Sequence, residues 1–483
     1  DGHFVLVADL GIDQVKVYLI DERGSFIVMI TGINNKTFLT TLSHLASSVG
    51  NSSPTVKSNG SALPAAASAS AKVIFGSQTA EIAAVYSMSP TKISDAAKAS
   101  TQADSALSGL MHLGLSSEGV SSLSGLGGLL LSNYADNQGD VSQALTSLGL
   151  DNNITFPTKS AVSLNITTQS GSVVHLNLTR QSDGIAVELT TEGGKASNDE
   201  AAEIAKLGNA FQSALNGLSE KPPRMDVSGL TQFDSSLIKS VDLKTDLSRG
   251  DLSQQSLNFH ADGSERWIGY QDNNFSLKMT SDTSNPSLVG NAAEQQAALN
   301  AWDSKFDKAR RDGHGDSDQM AMLKSAFHAL NKTQPKESSK ASSTGAIQMG
   351  GDGKVQIRGL SDFSLSLTET EKAINPYRMD EKESFAYQAS QSTQESTSHD
   401  GSLSVKQTLH THLTASWYQA LDPATPLSLN SSKNSQNYLY HTVDNEETNA
   451  TTFNYNAKGF LTSIGNHTQV NNVETVRSEE HTS

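Results

Sequence analysis

Two runs of this chain carry side chains whose types and spacing suggest chemistry. Asp312-Gly313-His314-Gly315-Asp316-Ser317-Asp318 has the acidic, glycine-punctuated composition of a calcium loop. An EF-hand needs Gly at the sixth position for a sharp turn and Glu at the twelfth for bidentate ligation. Counted from Asp312, those positions hold Ser317 and Leu323. Asp316 also stands where the dipole of a following helix favours an acid, so the run reads as an acidic loop joining two helices. His410 and His412 stand two apart, which puts both imidazoles on one face of a strand, with His399 nearby. A zinc site needs a third protein ligand and supporting hydrogen bonds. No third ligand is identifiable, so the pair reads as a polar strand face. No metal, cofactor or catalytic residue is assigned. The chain has no Gly-x-Ser-x-Gly elbow, no His-Glu-x-x-His and no Walker loop. Gly125-Leu126-Gly127-Gly128 lacks the glycine spacing and the preceding strand of a dinucleotide loop. Carboxylates are plentiful, yet no pair stands out as an acid/base couple. The sequons at Asn153, Asn165 and Asn177 matter only in a glycosylating compartment.

The elements that would position such groups are clearest between Ala161 and Leu218. Val162, Leu164 and Ile166 alternate with polar residues, as do Val174, Leu176 and Leu178, and then Ile185, Val187 and Leu189. Side chains two apart share a strand face, so each run has one apolar face. Gln169-Ser170-Gly171 and Asp183-Gly184 supply the turns. Ser197 and Glu200 have capping-box spacing. Ile204, Leu207, Phe211, Leu215 and Leu218 recur at helical spacing, and Pro222 and Pro223 end the helix.

Further strands are expected at Val241–Leu243, Leu257–Ala261, Trp267–Tyr270 and Phe275–Met279. They form either a second strands-then-helix unit or more of the same sheet. Two helices follow, from about Asn291 (Leu299, Trp302, Phe306) and from Ser317 (Met320, Leu323, Phe327, Leu330), making a helical hairpin. Residues 91–150 show only weak helical spacing and read as small, poorly packed helices. Residues 50–72 and 335–353 read as disordered linkers. Strand patterns resume with Phe363, Leu365 and Leu367, loosely with Leu403, Val405 and Leu409, and then with Tyr438 and Tyr440. The expected fold is α+β: antiparallel β-meanders packed with amphipathic helices, plus a polar β-rich C-terminal region. The expected divisions are 1–28, a stray β-hairpin; 29–150, linker-rich and weakly helical; 151–334, an α+β domain with the helical hairpin; 335–353, a linker; 354–476, polar and β-rich; and 477–483, an artefactual tail.

Composition narrows the classes of function. The 483 residues carry a net charge of −16, which argues against nucleic acid as a partner, because phosphate binding needs clustered Lys and Arg. There is no cysteine, so disulfides, thiolate metal sites and a Cys nucleophile are excluded. Hydrophobic content of 36% and aromatic content of 6% are low, so well-packed cores are expected over only part of the chain. The longest apolar run, Leu129–Leu131 with its Gly neighbours, falls far short of the roughly 20 residues of a transmembrane span. No signal peptide is recognisable, which fits a cytoplasmic chain or one exported without such a signal.

The run from Asp1 to Gly11, followed by Asp13, Val15, Val17 and Tyr18, resembles a blade segment of the seven-bladed β-propeller lactonases of the 6-phosphogluconolactonase type. The resemblance covers residues 1–27. It implies hydrolysis of a sugar lactone, with no catalytic residue carried onto these positions. Composition changes at Met29, which is expected to be the natural start, with residues 1–28 joined from another gene. Arg477–Ser483 resembles a translated sequencing-adapter oligonucleotide. Phe453–Thr462 is similar to one unit of the YD-repeat family of bacterial surface and toxin-shell proteins, with Asn456 in place of the characteristic Asp. Residues 29–476 resemble an uncharacterised bacterial family, which supplies no mechanism. The expected function is a non-enzymatic bacterial surface, appendage-related or exported interaction protein, with a protein partner. The alternative is a fragment of a sugar-lactone hydrolase.

Overall fold

The computed structural model describes residues 5–10, 15–20, 26–33, 105–117, 119–146, 160–181, 184–248, 254–331, 347–349, 355–357, 359–422, 424, 426–432 and 435–479. The alternating segments at its centre are strands β5 (Ser160–Thr168), β6 (Val173–Gln181) and β7 (Gly184–Glu192). Their apolar residues share one buried face, while Ser163, Asn165, His175 and Asn177 line the other. Helix α3 (Asn198–Ser219) follows, with a capping box in which the Ser197 side chain accepts from the Glu200 N–H and the Glu200 carboxylate accepts from the Ser197 N–H. Its stripe of Ile204, Leu207, Phe211, Leu215 and Leu218 is buried against the sheet.

Strands β8 (Ile238–Ser248), β9 (Gln254–Asp262), β10 (Glu265–Gln271) and β11 (Phe275–Asp282) come next. The helical hairpin is α4 (Ala292–Asp312) and α5 (Ser317–Asn331), with Asn291 and Glu294 forming the capping box of α4. Strands β14 (Asp362–Glu369), β15 (Ser384–Thr397), β16 (Leu403–Ala420), β17 (Tyr438–Tyr455) and β18 (Leu461–Glu479) complete the run. Together with β4 (Val141–Thr146) they build one thirteen-stranded antiparallel sheet, in the order β18-β17-β16-β15-β14-β11-β10-β9-β8-β5-β6-β7-β4. Helix α3 carries the chain from β7 back to pair β8 with β5. The hairpin α4–α5 lies between neighbours β11 and β14. The protein is therefore mostly β, and α+β describes only its helical layer. Of the two alternatives left open by the sequence for β8–β11, a second unit or more of the same sheet, the structure shows the latter.

Among the described residues, five α-helices lie on one face of this sheet. Trp302, Phe306 and Phe327 interlock edge-to-face with Phe363 and Tyr387. Two arginines on the helical face tie off helix C-termini, where carbonyls lack intrahelical partners. Arg180 Nη2 donates to the Leu115 carbonyl at the end of α1 (Ser105–Leu115), and Arg266 Nη1 donates to that of Leu330 in α5. Burial lowers the Arg266 pKa to about 10.

The region read as weakly helical departs from expectation within 105–146. Helices α1 and α2 (Leu126–Asn137) bury Leu107, Met111, Leu130, Leu131 and Tyr134, and β4 adds an edge strand beside β7. The same small residues that blur the helical pattern let α2 and α3 approach closely. A Cβ on Gly127 would lie 2.0 Å from Phe211, and one on Gly208 would lie 3.0 Å from the Gly128 carbonyl oxygen.

The N-terminal stretch read as a hairpin has three strands, β1 (Val5–Leu10), β2 (Val15–Ile20) and β3 (Phe26–Ile33), in antiparallel order, and β3 runs through Met29. The 50–72 linker lies outside the described residues. Strand β12 (Ile347–Met349), inside the 335–353 linker, pairs with β13 (Val355–Ile357) just beyond it. Residues 477–479 continue β18, where Arg477 forms an ion pair with buried Glu381. Phe453–Thr462 forms the β17–β18 hairpin, with Gly459 at φ 82° in its turn. Among the described residues, no helix is long and apolar enough to cross a membrane.

Candidate binding site

Three local structures converge at one end of the helical layer. The β10–β11 turn is closed by Asp272, whose Oδ1 accepts from the N–H groups of Asn274 (2.8 Å) and Phe275 (3.0 Å). Such a turn is the usual use of an Asp side chain in place of a backbone carbonyl. The N-terminus of α5 is capped by Asp316, whose Oδ1 accepts from Asp318 N–H (2.8 Å) and Gln319 N–H (3.0 Å). Pro222 and Pro223, which end α3, form a third wall, and the start of β9 supplies Gln254 and Gln255.

Between them lies a cleft of about 290 Å³. It is lined by Asp272, Asp316 and Asp318 and by no Lys, Arg or His. Tyr270, Phe275, Met322 and the two prolines give it apolar surface, and the Tyr270 hydroxyl donates to Asp272 Oδ2 at 3.0 Å. Gln255 is 4% exposed, and its Nε2 has no hydrogen-bond partner; the Gln319 Oε1, also in the lining, is likewise unpartnered. A buried amide without a partner costs free energy comparable to a lost hydrogen bond. Behind the cleft, Glu369 accepts from the Asp316 N–H at 3.1 Å. Burial raises the pKa of the Glu369 carboxyl, and the charge of Asp316 acts in the same direction.

The acidic loop singled out in the sequence is thus divided. Asp316 and Asp318 face the cleft, whereas Asp312 pairs with Lys308 one turn earlier in α4. His314 adopts φ 53° and stacks on Trp417 at 4.2 Å, and His441 also stacks on that indole, at 4.9 Å. Burial, and then the charge of His441, lower the His314 pKa. Gly313 and Gly315 let the loop lie on Phe385, which a Cβ at either position would meet at 2.9 Å or 2.6 Å. Among the described residues, no group of three or more His, Asp or Glu side chains could hold a metal ion.

His410 and His412 share the open face of the sheet, each paired with a carboxylate on β17. His410 Nε2 lies 3.0 Å from Glu446 Oε1, and His412 Nε2 lies 2.8 Å from Asp444 Oδ1. His399 sits in the exposed β15–β16 turn, roughly 20 Å or more along the strand at about 3.3 Å per residue, and does not join them. The same face holds further imidazoles that spacing did not reveal, His175 and His260 among them. His260 Nδ1 lies 2.6 Å from Asp242 Oδ1, its Nε2 lies 3.4 Å from Asp262 Oδ2, and its ring stacks on Trp267. The Asp242 hydrogen bond raises the His260 pKa against the opposing effect of burial.

A second cleft, between α4 and α5, has Ser325, His328 and Asp303 among its lining residues. His328 Nε2 meets Asp303 Oδ2 at 3.0 Å, but the Ser325 hydroxyl donates to the Met225 carbonyl at 3.2 Å. Its proton is committed to the backbone, so the three do not form a nucleophile–base relay. Gln255 and Asp272 escaped sequence reasoning because a Gln at a strand start and an Asp in a hairpin turn carry no distinctive spacing. Comparison with family models, with curated proteins and with solved structures finds no match to this chain.

Proposed function

We propose that this chain is a non-enzymatic interaction protein of the bacterial surface, appendage-related or exported class, and that its acidic cleft receives a cationic side chain of a protein partner. The observation that carries this reading is the cleft lining: three carboxylates, no basic residue, and a buried Gln255 amide left without a partner. A lysine or arginine side chain brings a charge to the carboxylates and an aliphatic stem to Tyr270, Phe275 and the prolines. The adjoining peptide carbonyl supplies the acceptor that Gln255 Nε2 lacks. The test is calorimetric titration with a short peptide bearing one central lysine, against the same peptide with norleucine. The lysine peptide binds, and added salt weakens it. Asp318→Asn weakens it about tenfold, the equivalent of one lost charge contact of about 1.4 kcal/mol. Equal binding of the two peptides, or no effect of Asp318→Asn, overturns the reading.

The alternative, a piece of a sugar-lactone hydrolase, rests on residues 1–27 and their resemblance to a propeller blade. A propeller needs several blades of four strands each. Hydrolysis of a sugar lactone by residues 29–476 would replace the interaction reading with a catalytic one.

A further inference from the structure

Strand β18 ends the large sheet, bonded along one edge to β17 and, among the described residues, to nothing along the other. It is 19 residues long, whereas β4 at the opposite end has 6. Ile464, Val470, Val473 and Val476 on it are 40–54% exposed. Long edge strands are normally blunted by Lys, Pro or a bulge, because their free N–H and C=O groups template further pairing. Between Leu461 and Glu479 there is no Lys and no Pro, and the only register irregularity lies at the hairpin, against Asn454 and Tyr455.

We propose that a second copy of this chain covers this edge, with β18 pairing antiparallel to β18 about a two-fold axis through Val470. Val470 is the midpoint of Leu461–Glu479, so this register pairs the strand along its whole length. It sets Val470 against its own copy and Ile464 against the other copy's Val476. These three positions have the same parity and lie on one face, the helical side, since Glu474 of that set opposes buried Val443. That apolar stripe extends the sheet's helical side past the last buried residues. Charges fall on neutral partners: Glu474 opposes Asn466, and Arg477 opposes Ser463. Like charges directly opposite would be destabilising, and aliphatic cross-strand pairs are favourable. An isologous pairing of this kind closes on itself and leaves no free edge at this end of either sheet. A two-fold axis at Val473 would also join valines but would leave Leu461–Asn466 unpaired.

The absence of cysteine makes the test clean. In the full chain, Val470→Cys places one thiol directly opposite its own copy, within disulfide reach for facing antiparallel residues. Mild oxidation is expected to convert it to a covalent dimer, while Thr462→Cys, whose opposite residue is Ser478, stays uncrosslinked. Light scattering is expected to give a dimer for the unaltered chain. Val470→Lys, which sets two ammonium groups face to face, is expected to give a monomer with unchanged circular dichroism. A monomeric unaltered chain at about 100 µM overturns the proposal, as does crosslinking through Val473→Cys in preference to Val470→Cys.

Discussion

Glu200 holds two parts of the fold together. Its carboxylate accepts from the Ser197 N–H at the start of α3 and from the N–H and hydroxyl of Ser170 in the β5–β6 turn, at 2.8–2.9 Å. Burial opposes its ionisation, but these bonds together lower its pKa to about 2. A depressed pKa gives stability that is present above the unfolded value near 4.5 and is lost as pH falls toward 2. Glu200→Gln is therefore expected to destabilise the protein by about 2 kcal/mol at pH 7, with the deficit closing between pH 4.5 and 2; urea titrations across that range check it. His260 works in the opposite sense. Its raised pKa stabilises the fold below the unfolded value near 6.5, and that contribution disappears as pH rises through the folded value. His260→Gln is expected to lower the thermal midpoint at about pH 5.5 and to have little effect at about pH 9.

At the scale of elements, two glycines in helices should respond in opposite ways. A Cβ added to Gly109 in α1 would meet nothing within 4 Å, so Gly109→Ala is expected to stabilise by about 0.5–1 kcal/mol. A Cβ added to Gly127 in α2 would meet Phe211 at 2.0 Å, and Gly127→Ala is expected to cost about 2–3 kcal/mol. Denaturant titrations of both variants check the pair. The same contrast explains what the sequence disclosed. Strands β5–β7 and helices α3–α5 were legible because one face of each is buried and apolar, so Val162-Leu164-Ile166 and Trp302-Phe306 keep strict periods. Helices α1 and α2 were not, because close approach required glycines that weaken any helical pattern. Strands β16–β18 alternate only loosely because, among the described residues, no helix covers most of their length, and Thr408 and Asn449 answer to no apolar partner layer. Asp316 and Asp318 could be found as acids. Their meeting with Asp272 and Gln255 depends on strand pairing over long separations, which local spacing does not encode.

For the whole molecule, packing is unequal along the sheet. One core runs from Leu107 to Val443, whereas Phe453 and Tyr455 form a separate small cluster with Leu403, Val405 and Leu461 at the far tip of β16–β18. Regions with few buried apolar contacts open at lower free energy than the core. Amides of β16 and β17 near that tip, Leu403–Gln407 and Thr451–Tyr455, are expected to exchange hydrogen for deuterium well before those of β8 and β9. Uniform protection across the sheet would show that the tip is as firmly held as the centre.

The strand order also has a consequence for how the chain assembles. Most neighbours in the sheet are neighbours in sequence: β5–β7, β8–β11 and β14–β18 each form a meander whose hairpins can zip one after another. Three junctions differ: the edge strand β4 pairs with β7 across β5 and β6, and two further junctions join whole meanders. Leu164 must find Leu243, and Leu277 must find Leu367, across roughly 80–90 intervening residues. Closing loops of that length precedes any reward from the contacts they bring. The sheet is thus three fast-forming pieces joined at two slow seams, β5·β8 and β11·β14. Each seam is bridged by its own helical segment, α3 or α4–α5, so the helices that cover the sheet are also the parts that bring its strands together.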